Sequence, residues 1–452
     1  MEVVYERCCG LDVHKKMVVA CLIIPGEQKP KQEIRTFGTM TEDLVALREW
    51  LLENGVTAVA MESTGVYWKP VYNILEGHIP VLLLINPERF KALRSKKTER
   101  KDAAWLADLL RHGLLEGSFI PPKEVRELRE LTRYREALQG EYRREVQRVQ
   151  KQLENSNIKL SSVATDIMGV SGRQIIKAII NGTEDPAELA QMAQGKLRKK
   201  IPELEKALQG EISEPTRLIL KQQMEHLEFL EKQIEALNKE IKKRMEPFFE
   251  EAKRLAEVAG IKEEAAQDII AEIGVDMTPF PDADHLASWV GVCPGNNESA
   301  GKRKSGTIRK GNQYLRSVLV ECAWAAVRTK GSYLSAKYHR LVPRIGKKKA
   351  IIAIAHSLIK IIYHILKDKV RYKDLGPDYL SKAERERKAR RLVKQLEAWG
   401  LHSNPAREAF RCVSFKKAKG KRMNRCAPCK EISAIYGDNF NLSKLYTLPT
   451  NR

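Results

Sequence analysis

The chain is 452 residues long, with 80 Lys and Arg against 58 Asp and Glu and a formal net charge of +22. That length holds about three domains with real hydrophobic cores, and the basic excess asks for a polyanionic partner, because cationic side chains that neutralise phosphates release counterions. A membrane surface is set aside as that partner: the opening residues MEVVYERCCG lack the basic and apolar regions of a signal peptide, and the longest apolar run, residues 350–366, carries His356, Lys360 and His364, as a buried helix does and a membrane span does not.

In chain order, residues 5–12, 16–24 and 32–38 are short β-rich runs separated by turn material that includes Pro25-Gly26, and they imply an antiparallel meander. Residues 41–54 place Leu44, Leu47, Leu51 and Leu52 at helical spacing, with Thr41 as the expected cap. A strand over 55–62 (GVTAVAME), a helix over 67–76, a strand over 81–85 closed by Asn86-Pro87, and a helix over 96–110 (KKTERKDAAWLADLL) follow. The predicted order is three strands, helix, strand, helix, strand, helix, and the fully apolar strands require a sheet covered on both faces. Cysteines in those strands, Cys8, Cys9 and Cys21, read as reduced thiols.

Four acids stand out on this framework. Asp12 lies within CCGLDVHKK between apolar Leu11 and Val13, where a carboxylate is costly unless a cation shares its site. Glu62 ends the strand over 55–62, and Glu99 and Asp102, three positions apart, share one helix face. An oxygen-rich set of this kind suits Mg²⁺ or Mn²⁺, which points to metal-dependent phosphoryl transfer on nucleic acid. Asp108 is set well round the helix from Asp102. His14 shares the strand face of Asp12 if the strand continues. Lys15 and Lys16, and Lys97 and Arg100 near the second pair of acids, are placed to meet phosphate.

From residue 121 the character changes. Val125, Leu128, Leu131, Leu138, Val146, Val149 and Leu153 recur at helical spacings, and Leu220, Leu227, Ile234 and Ile241 repeat every seven residues in a second long helix. With the linking residues 156–210 they form a helical arm, either a dimerising coiled coil or a hairpin within one chain, since periodicity does not count chains. Residues 257–274 read as a helical hairpin with a Gly-Ile turn, of the kind whose backbone amides hold DNA phosphates. Residues 293–316, CPGNNESAGKRKSGTIRKGNQYLR, surround Ser299 and Ser305 with Lys302, Arg303, Lys304, Arg309, Lys310 and Arg316. Their composition fits a phosphate-binding loop with a hydroxyl nucleophile, or a flexible basic turn. The tail, 371–452, is basic and poorly periodic; it either contacts nucleic acid or is a solvated extension. Its Cys426-Ala-Pro-Cys429, with Cys412 and His402 upstream, is either half of a zinc site or a surface turn.

The element order and the acids resemble the ribonuclease H fold in its RuvC-like form. GLDVHK, MESTGVYW and KTERKDA, combined with PGNNESAGKRKSG and the following KGN and LR, resemble the DEDD transposases of the insertion-sequence-110 family, relatives of Piv-type DNA invertases. The resemblance covers roughly residues 5–115 and 250–370. It implies a RuvC-like catalytic domain at 1–120 and a mostly helical transposase domain at 251–370, while periodicity makes 121–250 a helical coiled-coil arm and composition makes 371–452 a basic tail. It also implies metal held by Asp12, Glu62, Glu99 and Asp102, a Ser299 nucleophile with Ser305 as its alternative, donor and target double-stranded DNA, a structured guide RNA, and a dimer or tetramer. The setting it implies is the bacterial or archaeal cytoplasm, at the nucleoid. Glu99 departs from the Asp common in the family. A hydrolytic nuclease of the Holliday-junction type, using water at the acidic site alone, is the alternative reading; a binding protein with a dead site is the third.

Overall fold

The computed structural model describes residues 2–27, 29–63, 65–86, 99–295, 297–299, 302–305 and 307–379, with 99–101, 297–299 and 302–305 described at the backbone. Two compact units emerge, one formed by residues 1–130 with 272–274 and the other by 131–271 with the residues from 275 onward.

The first unit is built on a five-stranded mixed sheet. Strands β1 (Cys8–Val13), β2 (Val18–Ile24) and β3 (Lys31–Phe37) form the antiparallel meander. Helix α1 (Thr41–Glu53) leads to β4 (Ala58–Glu62), α2 (Trp68–Leu75), β5 (Val81–Ile85) and α3 (Glu99–Arg111). The strand order is β3-β2-β1-β4-β5, with β4 parallel to both β1 and β5. This element order is the one the apolar runs predict, and it is consistent with a ribonuclease H-like domain. Each face has its own core: Cys9, Leu11, Val59 and Met61 pack with Leu47, Leu51 and Leu75 of α1 and α2. On the other face, Cys8, Ala58 and Ala60 pack with Ala103, Leu106, Ala107 and Leu110 of α3. One local expectation fails. Thr41 is the first helical residue rather than the cap; Met40 caps α1, and its amide donates to Asp43 Oδ2 at 3.2 Å. The cysteines of the sheet are free and buried, and burial pushes the Cys8 thiol up to about 12, so it is held as an inert apolar side chain.

The remainder is mostly helical. Helix α4 (Lys123–Asn155) begins in the first unit, and its later turns pair with α9 (Glu214–Arg244). Contacts descend along α9 as they ascend along α4: Arg135 Nη1 donates to Asn238 Oδ1 at 3.0 Å, Tyr142 Oη to Glu231 Oε1 at 3.0 Å, and Val149 and Leu153 share a core with Leu220 and Met224. The two long helices are thus an antiparallel pair within one chain, the hairpin alternative of the sequence reading. Short helices α5 (Leu160–Val163), α6 (Val170–Ile180), α7 (Pro186–Gln191) and α8 (Ile201–Ala207) fold back onto this pair and complete its core.

Helices α10 (Phe249–Ala256) and α11 (Glu263–Ile273) form the expected helical hairpin. Its turn glycine, Gly260, has φ +91° and lies so close to the helix over residues 313–328 that a Cβ would sit 2.4 Å from Cys322 O. Packing therefore accounts for that glycine. Helix α12 (Ala283–Val290), strands β6 (Asn297–Ser299) and β7 (Lys302–Ser305), and helices α13 (Gln313–Arg328), α14 (Tyr333–Ile345) and α15 (Lys347–Asp368) complete the unit. Among the described residues α15 is the one helix long and apolar enough to cross a membrane. It packs against α12, α13 and α14 with Ile351, Ile354, Leu358 and Ile362 buried, the core helix that its His and Lys content implies.

A charged node lies inside this unit. Arg135 is 2 % exposed, and its guanidinium donates to Gln267 Oε1 at 3.0 Å and to Asp268 Oδ1 at 2.7 Å. Burial pushes the Asp268 carboxyl up to about 6 against the opposing pull of Arg135, with Glu264 and Glu136 adding to the rise. A carboxyl raised in the folded state binds a proton there that the unfolded chain has released, so this group's contribution to stability falls as pH rises from about 4 to about 6. Arg135→Met removes the charge that tolerates the ionised form, so the variant should be destabilised by about 3 kcal/mol at pH 8 and by clearly less at pH 5, where Asp268 takes up its proton. Thermal melts at the two pH values check this; an equal loss at both would assign the role of Arg135 to packing alone.

Candidate active site

Strands β1 and β4 run in parallel with Cys8 opposite Ala58 and Leu11 opposite Met61, so Asp12 and Glu62 occupy the next positions on adjacent strands. Strand alternation puts both on the face of Cys8, Gly10, Ala58 and Ala60, the face that α3 covers. Both are buried, Asp12 at 6 % and Glu62 at 9 % exposure. The sequence folds this way because the alternate positions, Leu11 and Val13 in β1 and Val59 and Met61 in β4, are needed by the opposite core.

Helix α3 approaches this face closely because β1 has a glycine. A Cβ on Gly10 would lie 2.3 Å from Ala103 O and 2.5 Å from Ala107 N. One step back along β1, Cys8 Sγ contacts Ala107 O at 3.6 Å. Two residues of strand therefore run alongside four of helix in the opposite direction, as rises of about 3.4 Å and 1.5 Å per residue require. A further step of the same size would bring Asp12 level with position 99, which is described at the backbone alone. Positions 99 and 102 also continue the helical stripe of Ala103, Leu106, Ala107 and Leu110. Asp102 itself is half-buried, whereas Asp108 is exposed and lies 3.8 Å from His112, away from the sheet.

A side chain at position 10 has nowhere to go but into the α3 backbone. Gly10→Ala should therefore push α3 off the sheet and destabilise the first unit by about 2 kcal/mol or more. Melting curves check this; a variant with wild-type stability would show that α3 is not seated on β1. No candidate role attached to Gly10 at the sequence level, although a glycine inside an apolar strand signals close backbone approach.

Around these acids, β1 ends at Val13 and turns tightly, with the His14 amide donating to Met17 O at 2.9 Å. The His14 ring sits with Nε2 3.1 Å from Asp12 Oδ2; β1 ends before it, so the turn, not a continuing strand, brings His14 to the Asp12 carboxylate. Lys15 is exposed in the same turn, and its carbonyl accepts from Thr39 Oγ1 at 3.1 Å. Lys97 lies outside the described residues, as does the 371–452 tail from residue 380 onward with His402, Cys412, Cys426 and Cys429; Glu99 and Arg100 are described at the backbone, in the first turn of α3. Among the described residues no group of three or more His, Cys, Asp and Glu side chains is gathered closely enough to hold a metal ion. The donor chemistry of Asp12 and Glu62 nonetheless fits a hard divalent cation: two buried carboxylates on adjacent strands, supplying only oxygen.

The basic stretch after α12 is a β-hairpin. Helix α12 ends at Gly291, in the left-handed region at φ +80°, and the chain returns at Gly311, where a Cβ would fall 2.5 Å from Gly291 N. Above this pinch Pro294 bridges Ile308, the Gly295 amide donates to Thr307 O at 2.8 Å, and β6 pairs with β7. In that register Ser299 is opposite Lys302, with positions 300 and 301 between them, while Ser305 is opposite Asn297, nearer the base. Arg303 and Lys304 are strand positions of β7; Arg309 and Lys310 are exposed below it, and Arg316 is half-buried in the first turn of α13. Asn312 caps α13, its Oδ1 accepting from Leu315 N at 3.1 Å, and the Arg133 guanidinium of α4 lies 4.1 Å from the Tyr314 ring centre. Both ends of the hairpin are thereby anchored to helices.

Two segments of the sequence match known transposase families. Residues 9–158, which include the Asp12 and Glu62 sheet, match a family model described as Transposase, of the DEDD type of IS110, and residues 252–339, which include the serine hairpin, match one described as Transposase IS116/IS110/IS902 family. The chain belongs to the IS110 family of transposases. It is similar to a Sinorhizobium fredii protein described as a transposase, y4pF/y4sB, with 32 % identity over 120 residues, 25 % of this chain and 31 % of that one. It is also similar to a Pseudomonas aeruginosa protein described as a family 20 transposase, with 26 % identity over 163 residues, 35 % of this chain and 48 % of that one. The chain thus spans less than half the length of each of these relatives.

Proposed function

We propose that this protein is a DNA recombinase of a mobile element, which cuts and rejoins donor and target double-stranded DNA. The reading rests on the placement of Asp12 and Glu62 side by side, buried, at the ends of adjacent strands beneath the first turns of α3. Asp12, Glu62, Glu99 and Asp102 would hold Mg²⁺ or Mn²⁺ in a RuvC-like site. When bound, such an ion stabilises charge on the phosphoryl oxygens undergoing substitution. Within the chain, His14 orients the Asp12 carboxylate through its ring nitrogen, and α3 closes the face against water. The Ser299 hydroxyl attacks the scissile phosphorus: a serine O–P bond forms, the P–O bond to the leaving strand breaks, and the serine proton is exchanged for one on the leaving hydroxyl. One phosphodiester replaces another, so religation by the reverse step needs no ATP. Lys15, Lys97, Arg100, Lys302, Arg303, Lys304, Arg309, Lys310 and Arg316 neutralise DNA or RNA phosphates.

The proposal extends to a structured RNA encoded by the element, whose base pairing selects the DNA, so that the target sequence is not written in the protein. It also extends to a dimer or tetramer acting at the nucleoid, in a chain organised as a catalytic domain, an arm, a serine domain and a basic tail. The test is to incubate the protein, RNA from the element's flanks and end-labelled DNA with Mg²⁺ and to resolve the mixture under denaturing conditions. Label migrating with the protein is the expected result. Cut DNA without protein-bound label would favour the hydrolytic nuclease, and binding without any cutting, indifferent to Mg²⁺, would leave only a binding protein.

A further inference from the structure

Between α6 and the stretch from α7 to α8 lies a groove of about 730 Å³. Four amide side chains line it, Gln174 and Asn181 from α6 and Gln191 and Gln194 from the stretch after it, together with Lys177 and Arg198 and a comparable share of apolar surface. Two bonds hold the walls at fixed separation: Gln194 Nε2 donates to Gln174 Oε1 at 2.9 Å, and the Gln194 amide donates to Ser171 Oγ at 2.9 Å. Ala178, Met192 and Ala193 also line it, and they pack on the core of the arm. This is a formed depression on packed helices rather than a gap between loops.

Residues 195–200, GKLRKK, run from its rim as a 3-10 helix. Lys196, Arg198 and Lys199 are exposed, and none has an ion pair among the described residues. Of the acids around it, Glu184 pairs with Arg217 at 2.8 Å, Asp185 caps α7 and Glu228 pairs with Lys177 at 2.8 Å, while Glu188 and Glu203 are exposed in the first turns of α7 and α8. Three exposed cations beside a cleft rich in amides carry two kinds of recognition at once. The cations suit phosphates, and the amides, each with donors and an acceptor, suit the edges of unpaired bases. The walls carry no aromatic ring, so base edges and backbone, not stacking, are what the groove is equipped to hold. Residues 159–251 fall outside both matched family segments, and the groove shares no residue with the acids or the serine hairpin.

We propose that the groove binds a single-stranded segment of nucleic acid, with phosphates on Lys196, Arg198 and Lys199 and base edges on Gln174, Asn181 and Gln191. The proposal does not rest on the cleavage reading, because binding here needs neither metal nor the serine. It is tested on the full chain without divalent metal, using mixed-sequence single-stranded RNA and DNA of the same length that carry photoreactive thio-bases. Crosslinked peptides are mapped by mass spectrometry, and affinity is measured across a salt series.

The expected result is crosslinks within residues 170–200. The triple variant Lys196→Glu, Arg198→Glu, Lys199→Glu should lose them and flatten the log-affinity against log-salt slope by about 2, at about 0.7 per phosphate released. Gln174→Ala with Gln191→Ala should lose the base crosslinks while keeping the salt slope. Crosslinks with RNA alone would make the occupant a stretch of RNA, and crosslinks with DNA alone an opened DNA strand; either supports the site. Crosslinks confined to other regions with both strands, or a triple variant with wild-type slope and crosslinks, would overturn it. All five side chains are exposed, so unchanged melting separates a binding loss from misfolding.

Discussion

Asp12→Asn is expected to reduce strand cleavage by about a thousandfold or more while leaving the chain folded. The two side chains have nearly the same shape, and the amide oxygen can still face the ring of His14, so packing on β1 is retained. What is lost is the negative charge at a 6 %-exposed position next to Glu62. Two buried carboxylates on adjacent strands repel in the absence of a cation, and a divalent ion relieves that repulsion. Removing one charge therefore has opposite effects in two conditions. In metal-free buffer Asp12→Asn should melt at or above the wild-type temperature; in Mg²⁺ the wild type should gain stability by ligand linkage and the variant should gain much less. Melting curves of both proteins with and without Mg²⁺, alongside cleavage of labelled DNA, read all of this. A wild type whose melting ignores Mg²⁺, together with a variant that still cuts, would remove Asp12 from the site.

Much of the sheet domain was legible because four of its five strands are largely apolar, β3 with its exposed KQEIRTF being the exception. Runs such as Val18–Ile24 and Val81–Ile85 must be covered by helices wherever they occur, and the element order followed from that alone. The ends of elements were less legible. At α1 the cap is decided by Asp43 reaching back to the Met40 amide, a competition that Thr41 loses although its residue type favours the position. For the acids, their places on strands and helix were legible, but the depth at which α3 sits depends on Gly10, a contact across 93 positions of sequence that periodicity does not encode.

The arm and the hairpin show two further limits of sequence reading. Heptad spacing in α9 marked the buried stripe, yet whether α4 of the same chain or of another fills it depends on the folding of the linking residues, which here return the chain antiparallel. The stretch 293–316 lacks the apolar alternation that announces strands. Its hairpin is imposed from the base, where Gly291 meets Gly311 and Pro294 meets Ile308 between the end of α12 and the cap of α13. Local propensity pointed to a loop, and tertiary anchoring made a finger of it.

That finger makes the two serines distinguishable. Ser299→Ala should abolish protein-linked DNA, a loss of about a thousandfold or more, whereas Ser305→Ala should keep it within about tenfold. The argument is one of register. Ser299 is the last residue of β6, opposite Lys302 next to positions 300 and 301, at the end of the finger away from its anchored base; Ser305 is opposite Asn297 on the base side. A hydroxyl that must reach a phosphorus embedded in a wide duplex is served by the far end, and the cations in sequence around it, Lys302 to Lys304, would hold the flanking phosphates. The assay is end-labelled DNA with Mg²⁺ on a denaturing gel, with DNA binding measured in parallel so that loss of the adduct is not loss of the substrate. If Ser305→Ala loses the adduct and Ser299→Ala keeps it, the nucleophile is at the base of the finger. If Ser299→Ala yields cut strands with free ends, then water replaces serine at the acidic site, and the finger only positions the DNA that Asp12 and Glu62 act upon.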